Sequence, residues 1–259
     1  MNDNNFKDPF DFLKEYTKNI SVLLQAFSIA ISDIQINIID TLKPLFEVLS
    51  SLGQLSDKDK AILDVLVEYN IVYWGEINEN KENEILKRND MFLNRLLYDD
   101  NPLGFDYKNS EIIINKKVFK QCLDAYNSCK YELCSIGLFS IVDGMLSYYS
   151  DDKQCVKAKE RIDKVKSKIE QYKIVMPKSI QYITYTFVPI SLKLFAKSDF
   201  NKKEPNLINR HWTVHGRSNK ENTKEECLIL FRVINALNQL HIFIRNINEE
   251  IEENIKNNG

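Results

Sequence analysis

Residues 225–251 read EECLILFRVINALNQLHIFIRNINEEI, and this stretch decides the fold. Leu228, Phe231, Ile234, Leu237, Leu240 and Ile244 recur at intervals of three and four, the spacing that keeps one side of an α-helix apolar. No proline or glycine interrupts the run, which is far longer than a strand. The same spacing appears upstream. Phe12, Leu13, Tyr16, Ile20, Leu23, Leu24 and Phe27 predict helix within 6–52, with Pro9 at its start and Pro44 as a possible interruption. Ser56 caps a further helix to about Tyr69, and helical patterns follow over 78–98, 118–149, 153–172 and 179–195, the last kinked at Pro189. Seven glycines and six prolines in 259 residues are too few for the turns of an all-β fold. The expected class is all-α.

The clearest linker is 99–104, DDNPLG. It divides the chain into an N-terminal helical region, 1–105, a connector, 106–117, and a second helical region, 118–259. Within the connector, Glu111–Asn115 reads as a short strand or an extended link. Residues 1–105 carry no motif.

Composition narrows the class further. Hydrophobic residues make up 44% and charged residues 28%, as in an ordinary globular protein. The start, MNDNNFKDPF, is acidic and polar, unlike a signal or transit peptide. The apolar stretch 21–39 is broken by Gln25, Asp33, Gln35 and Asn37, too polar to cross a bilayer. Five cysteines without a C-x-x-C pair suggest neither a disulfide framework nor a zinc ribbon, and Cys122, Cys129 and Cys134 read as small core residues. The expectation is a reduced, cytoplasmic protein without membrane contact or cofactor.

The net charge of −2 hides a strong asymmetry. Between Lys153 and Lys224 there are 17 Lys and Arg against 6 Asp and Glu, a net of +11, which leaves −13 on the rest. Such a run is ordinarily a solvated helix face. Its overlap with the motif below makes it a candidate polyanion surface, with Lys157, Lys164, Lys168 and Arg217 as RNA-binding candidates.

That motif is NRHWTVHG, residues 209–216, which holds two of the three histidines of the chain. Arginine offers a fixed, permanently charged fork for phosphate oxygens, and histidine moves protons near neutral pH. Arg210 also reads as a surface arginine paired with a carboxylate, and His215 as a capping histidine before Gly216. His211 and His215, four apart, suit a metal by spacing. Yet no Glu follows His211, no Cys lies near, and Asp199 and Glu204 are the only close carboxylates, so no metal is assigned. No Gly-rich phosphate loop or nucleophile elbow is present. Trp212, Tyr182, Tyr185 and Phe187 are base-stacking or core aromatics.

The pattern Arg-polar-x-x-x-His, closing on Gly and followed by the long helix, resembles the signature of HEPN-domain ribonucleases, in their defence-associated bacterial branch. The segment 131–146, YELCSIGLFSIVDGML, resembles that family's earlier core helix, with Asp143 at its acidic position. The resemblance covers about half the chain. It implies an up-and-down helical bundle acting as a metal-independent endoribonuclease, in which the 2′-oxygen attacks its own phosphate to leave a 2′,3′-cyclic end. Arg210 would contact the scissile phosphate and His215 transfer the proton. Asp143 would fix one of them, with His211 and Asn209 supporting. Implied partners are RNA, a second copy of the chain, and an antitoxin or defence-system protein, in abortive infection or toxin–antitoxin biology. A catalytically silent bundle that binds RNA or protein is the alternative, and a plain helical interaction module is a third reading. Positions five apart on a helix are rotated by about 140°. Arg210 must therefore stand at the first turn, or the site must be completed across a dimer, as in the family.

Overall fold

The computed structural model describes residues 55–98, 103, 105–149, 157–172 and 176–258, and among these helices are the only regular structure. In chain order they are α1 (Asp57–Glu68), α2 (Glu79–Leu86), α3 (Asp90–Tyr98), α4 (Lys116–Asn127), α5 (Tyr131–Tyr149), α6 (Ala158–Glu170), α7 (Lys178–Leu194), α8 (Arg210–Val214) and α9 (Lys224–Asn258). The fold is all-α. The helix read over 6–52 and most of the 99–104 linker lie outside the described residues.

Local chemistry sets where these helices begin. Ser56 accepts from the Asp59 N–H at 3.0 Å while the Asp59 carboxylate accepts from the Ser56 N–H at 3.2 Å. Thr223 and Glu226 repeat this reciprocal box at the start of α9, at 3.2 and 3.1 Å. Asn78 and Asn115 cap α2 and α4 through single side-chain bonds.

Four helices end in one way. Asn70, Arg88, Cys129 and Gly216 take positive φ (59°, 53°, 56° and 62°) just past α1, α2, α4 and α8. At each, the left-handed residue and the next one donate backward to two carbonyls of the last turn, as in Lys130 N to Ala125 O at 2.8 Å and Cys129 N to Tyr126 O at 3.1 Å. These ends correct three expectations. The pattern over 78–98 is two helices, broken at Arg88, and the pattern over 118–149 is a hairpin turned at Cys129. Cys129 is exposed in that turn rather than in the core, whereas Cys122 and Cys134 are buried. The 111–115 segment forms no strand: Ile112 and Ile113 are buried in a link that bends at 111, 112 and 114.

Two compact units are present. The larger comprises Leu55–Gln171 and Ser179–Ile242, and the smaller holds, of the described residues, 172, 176–178 and 243–258. This division differs from the one drawn at the linker. In the larger unit α1 is tied to α7 by Tyr182 Oη to Asp59 and Tyr185 Oη to Asp64, both 2.8 Å, and α3 to α9 by Tyr98 Oη to Glu225 at 2.7 Å. In the smaller unit Tyr172 Oη donates to Asn248 Oδ1 at 2.8 Å.

Arg232 of α9 is fully buried. Its Nε donates to Val72 O at 2.8 Å and its Nη1 to Leu96 O at 3.1 Å, while its guanidinium carbon stands 4.3 Å from the Trp74 ring centroid. The cation thus satisfies carbonyls at the C-terminal end of α3, where the helix dipole favours positive charge. Within residues 224–250 one stretch of 18 residues is apolar enough by composition to cross a membrane, with mean hydropathy 1.6, and 78% of that stretch is buried inside the fold.

The element that positions the site is α5. It packs against α4, α6 and α8. Gly137 permits the close approach of α4, because a Cβ there would collide with Cys122 Sγ. Burial pushes the Cys122 thiol up to about 12, and the hydrogen bond shared with Cys227, followed by burial, raises Cys134 as well. These thiols are neutral packing groups.

Candidate active site

One short helix, α8, carries the motif, and Asn209 builds it. The Asn209 side chain is buried and accepts from the N–H groups of His211 at 2.9 Å and Trp212 at 3.4 Å. Its Nδ2 donates to Ala196 O at 3.0 Å and Lys193 O at 3.3 Å, fastening the start of α8 to the end of α7. His215 is the C-cap, and Gly216 reverses the chain in the left-handed region, where glycine is least strained. Arg210 is therefore the first residue of a helix of 5 residues, and His215 caps its other end.

Arg210 and His215 diverge into two clusters. Arg210 Nη2 donates to Asp143 Oδ2 at 2.8 Å. Arg161 of α6 donates through Nη1 to Asp143 Oδ1 at 3.1 Å, so one carboxylate is shared by two guanidinium groups. The cluster carries a net positive charge. Arg161 is nearly buried, and Arg210 keeps about a third of its side chain exposed (35%), with no other partner among the described residues. A planar cation fixed on one edge and open on another suits binding of a phosphate oxygen.

The second cluster joins the histidines. His211 and His215 lie with ring centroids 4.9 Å apart, nearly perpendicular at 82°. Phe200 stacks on His211 at 4.5 Å and touches His215 at 6.3 Å, and the Arg217 guanidinium covers Phe200 at 4.4 Å. His211 Nδ1 stands 3.1 Å from Ser198 O and 3.2 Å from Ser198 N. Ser198 Oγ in turn donates to Asn209 Oδ1 at 3.1 Å. His215 and Arg217 are exposed. No hydrogen bond joins Arg210 to His215.

Of the four basic candidates Arg217 follows α8, and the other three, Lys157, Lys164 and Lys168, belong to α6. Lys157 is its N-cap, and positions 157, 161, 164 and 168, spaced four, three and four, share one side of the helix. Lys157 and Lys164 are exposed and Lys168 is half-buried, and Arg161, which holds Asp143, stands within this row. Trp212, Tyr182 and Phe187 are buried, as core aromatics. His241 faces Glu111 at 3.1 Å, away from the motif. Among the described residues no group of three or more His, Cys, Asp or Glu side chains is gathered as a metal site would need.

Three residues of the site escaped the sequence reading. Arg161 lay within a helix read as solvent-facing, and its role depends on Asp143, 18 positions away. Phe200 and Ser198 sat in a polar turn with no periodic signal. Searches of protein-family models, curated proteins and solved structures find no match to this chain.

Proposed function

We propose that the protein is a metal-independent endoribonuclease with a HEPN-like bundle, acting as a homodimeric toxin or abortive-infection effector on RNA. One observation carries this reading. A single turn of helix presents an arginine fixed by Asp143 at 2.8 Å and two histidines 4.9 Å apart, beside a basic helix face. The arginine would hold the scissile phosphate and neutralise charge growing on its oxygens. Histidine would take the proton from the ribose 2′-hydroxyl and return one to the departing 5′-oxygen. Because Arg210 and His215 diverge within one chain, a second copy placed beside α8 would bring an arginine of one protomer to a histidine of the other.

The catalytically silent alternative rests on Asp143 itself, since a carboxylate gripped by two arginines also serves as a structural node. Purified protein incubated with RNA in excess EDTA separates the two. The ribonuclease reading expects cleavage with 2′,3′-cyclic phosphate and 5′-hydroxyl ends. Binding without cleavage supports the silent module, and strict Mg²⁺ dependence contradicts the mechanism.

A further inference from the structure

Among the groups that face the motif, His211 is the one held like a working acid–base residue. Resting on the ribonuclease reading, we propose that His211 is a second catalytic histidine, acting as the base on the same phosphodiester, within the same chain, on which His215 acts as the acid.

The two rings are held differently. His215 is exposed and has no hydrogen bond among the described residues. His211 is half-buried, stacked on Phe200, and its Nδ1 faces both the carbonyl and the amide of Ser198 at 3.1 and 3.2 Å. When Nδ1 carries a proton it donates to the carbonyl. When Nδ1 is bare it accepts from the amide. Either state leaves Nε2 without a hydrogen bond among the described residues. With Nδ1–H on the carbonyl, Nε2 takes up a proton and the ring becomes imidazolium without losing its anchor, which is what a base needs. Ser198 is itself fixed by Asn209, the buried cap of α8, so the ring is set by two further layers. These two are positioning residues.

The histidine pair also meets the geometric demand of the reaction. An acid and a base serving one phosphorus must each stand about 2.6–3.2 Å from their oxygen. Rings with centroids 4.9 Å apart can reach two oxygens of one phosphate. In the step, His211 Nε2 takes the 2′-hydroxyl proton as the 2′-oxygen bonds to phosphorus. The P–O5′ bond breaks, and the 5′-oxygen takes the proton of the His215 imidazolium. One proton enters the pair and one leaves it. Exchange with water restores the starting state.

The test uses His211→Asn, whose amide can still donate to Ser198 O but which has no atom equivalent to Nε2. Cleavage should fall about 10²–10⁴-fold, and the acidic limb of the pH–rate profile should disappear. RNA with a 5′-bridging sulfur, a leaving group that needs no acid, should rescue His215→Ala and leave His211→Asn slow. Rescue of His211→Asn by sulfur, or a rate within about threefold of wild type, overturns the assignment while the ribonuclease reading stands. A wild-type protein without cleavage sinks that reading instead. In that case titration with inorganic phosphate, followed by ¹⁵N resonances of the two rings, still decides. Joint shifts with one Kd support a shared phosphate site, and movement of one ring alone overturns it.

Discussion

Asp143→Asn is the most demanding perturbation of this structure, because one atom change removes the charge that two contacts share and breaks one of them. An amide offers one acceptor and one donor, so it meets a guanidinium N–H with an N–H of its own on one side. Charge-assisted hydrogen bonds contribute about 1.5–3 kcal/mol when shielded, and exposed pairs about 1 kcal/mol or less. The Arg161 side chain is 11% exposed, which keeps its contact in the upper range. Arg210 and Asp143, at 35% and 27%, fall toward the lower one. The loss lies between one contact and both, about 1.5–4 kcal/mol of unfolding free energy. Urea denaturation should show a lower midpoint at unchanged slope. Double-mutant cycles then apportion it: Asp143 with Arg161→Ala should couple by about 2 kcal/mol and with Arg210→Ala by about 1 kcal/mol or less. Equal couplings, or the reverse order, would refute the view that Arg161 anchors Asp143 while Arg210 is kept available for an anion.

Three further outcomes follow from the same structure. Arg210→Lys should lose about 10²–10³ in cleavage rate, nearly as much as Arg210→Ala, since lysine keeps charge without the fork; full activity of the lysine variant, measured on protein with unchanged circular dichroism, would remove Arg210 from the phosphate. Changing Lys157, Lys164 and Lys168 to Glu should weaken RNA binding and flatten its salt dependence, each lost phosphate contact lowering the log–log slope by about 0.7; an unchanged slope would return that face to solvent. Cys129→Gly should raise stability by about 0.5–1 kcal/mol, because a residue with a Cβ is strained at φ 56° by more than glycine costs in chain entropy; a lower melting temperature would contradict this.

The all-α class was legible because the 3–4 spacing in α9 and elsewhere is a property of contiguous residues. Helix ends were legible only where chemistry advertised them. Gly216 marks its left-handed turn openly, and Ser56 its cap. Arg88 and Cys129 adopt the same backbone without glycine, so the breaks between α2 and α3 and between α4 and α5 read as continuous helix. The site divides similarly. Arg210, His211 and His215 stand together in sequence, and Asp143 drew notice through resemblance to a family. The carboxylate's second partner, the aromatic under the histidines and the backbone that fixes His211 became visible only once α5, α6 and the 195–209 turn were packed together. The linker advertises only a local turn, whereas the bonds that tie α1 to α7 and α3 to α9 join residues more than 120 positions apart.

The central claim is that this motif cleaves RNA by proton transfer and phosphate clamping without a metal. Its most direct test is the single-turnover cleavage rate of purified protein in excess EDTA, wild type against His215→Ala. The account predicts measurable cleavage by wild type and a loss of about 10²–10⁴-fold in the variant. Equal rates from the two proteins, or no cleavage by wild type in EDTA with activity restored by Mg²⁺, would contradict it.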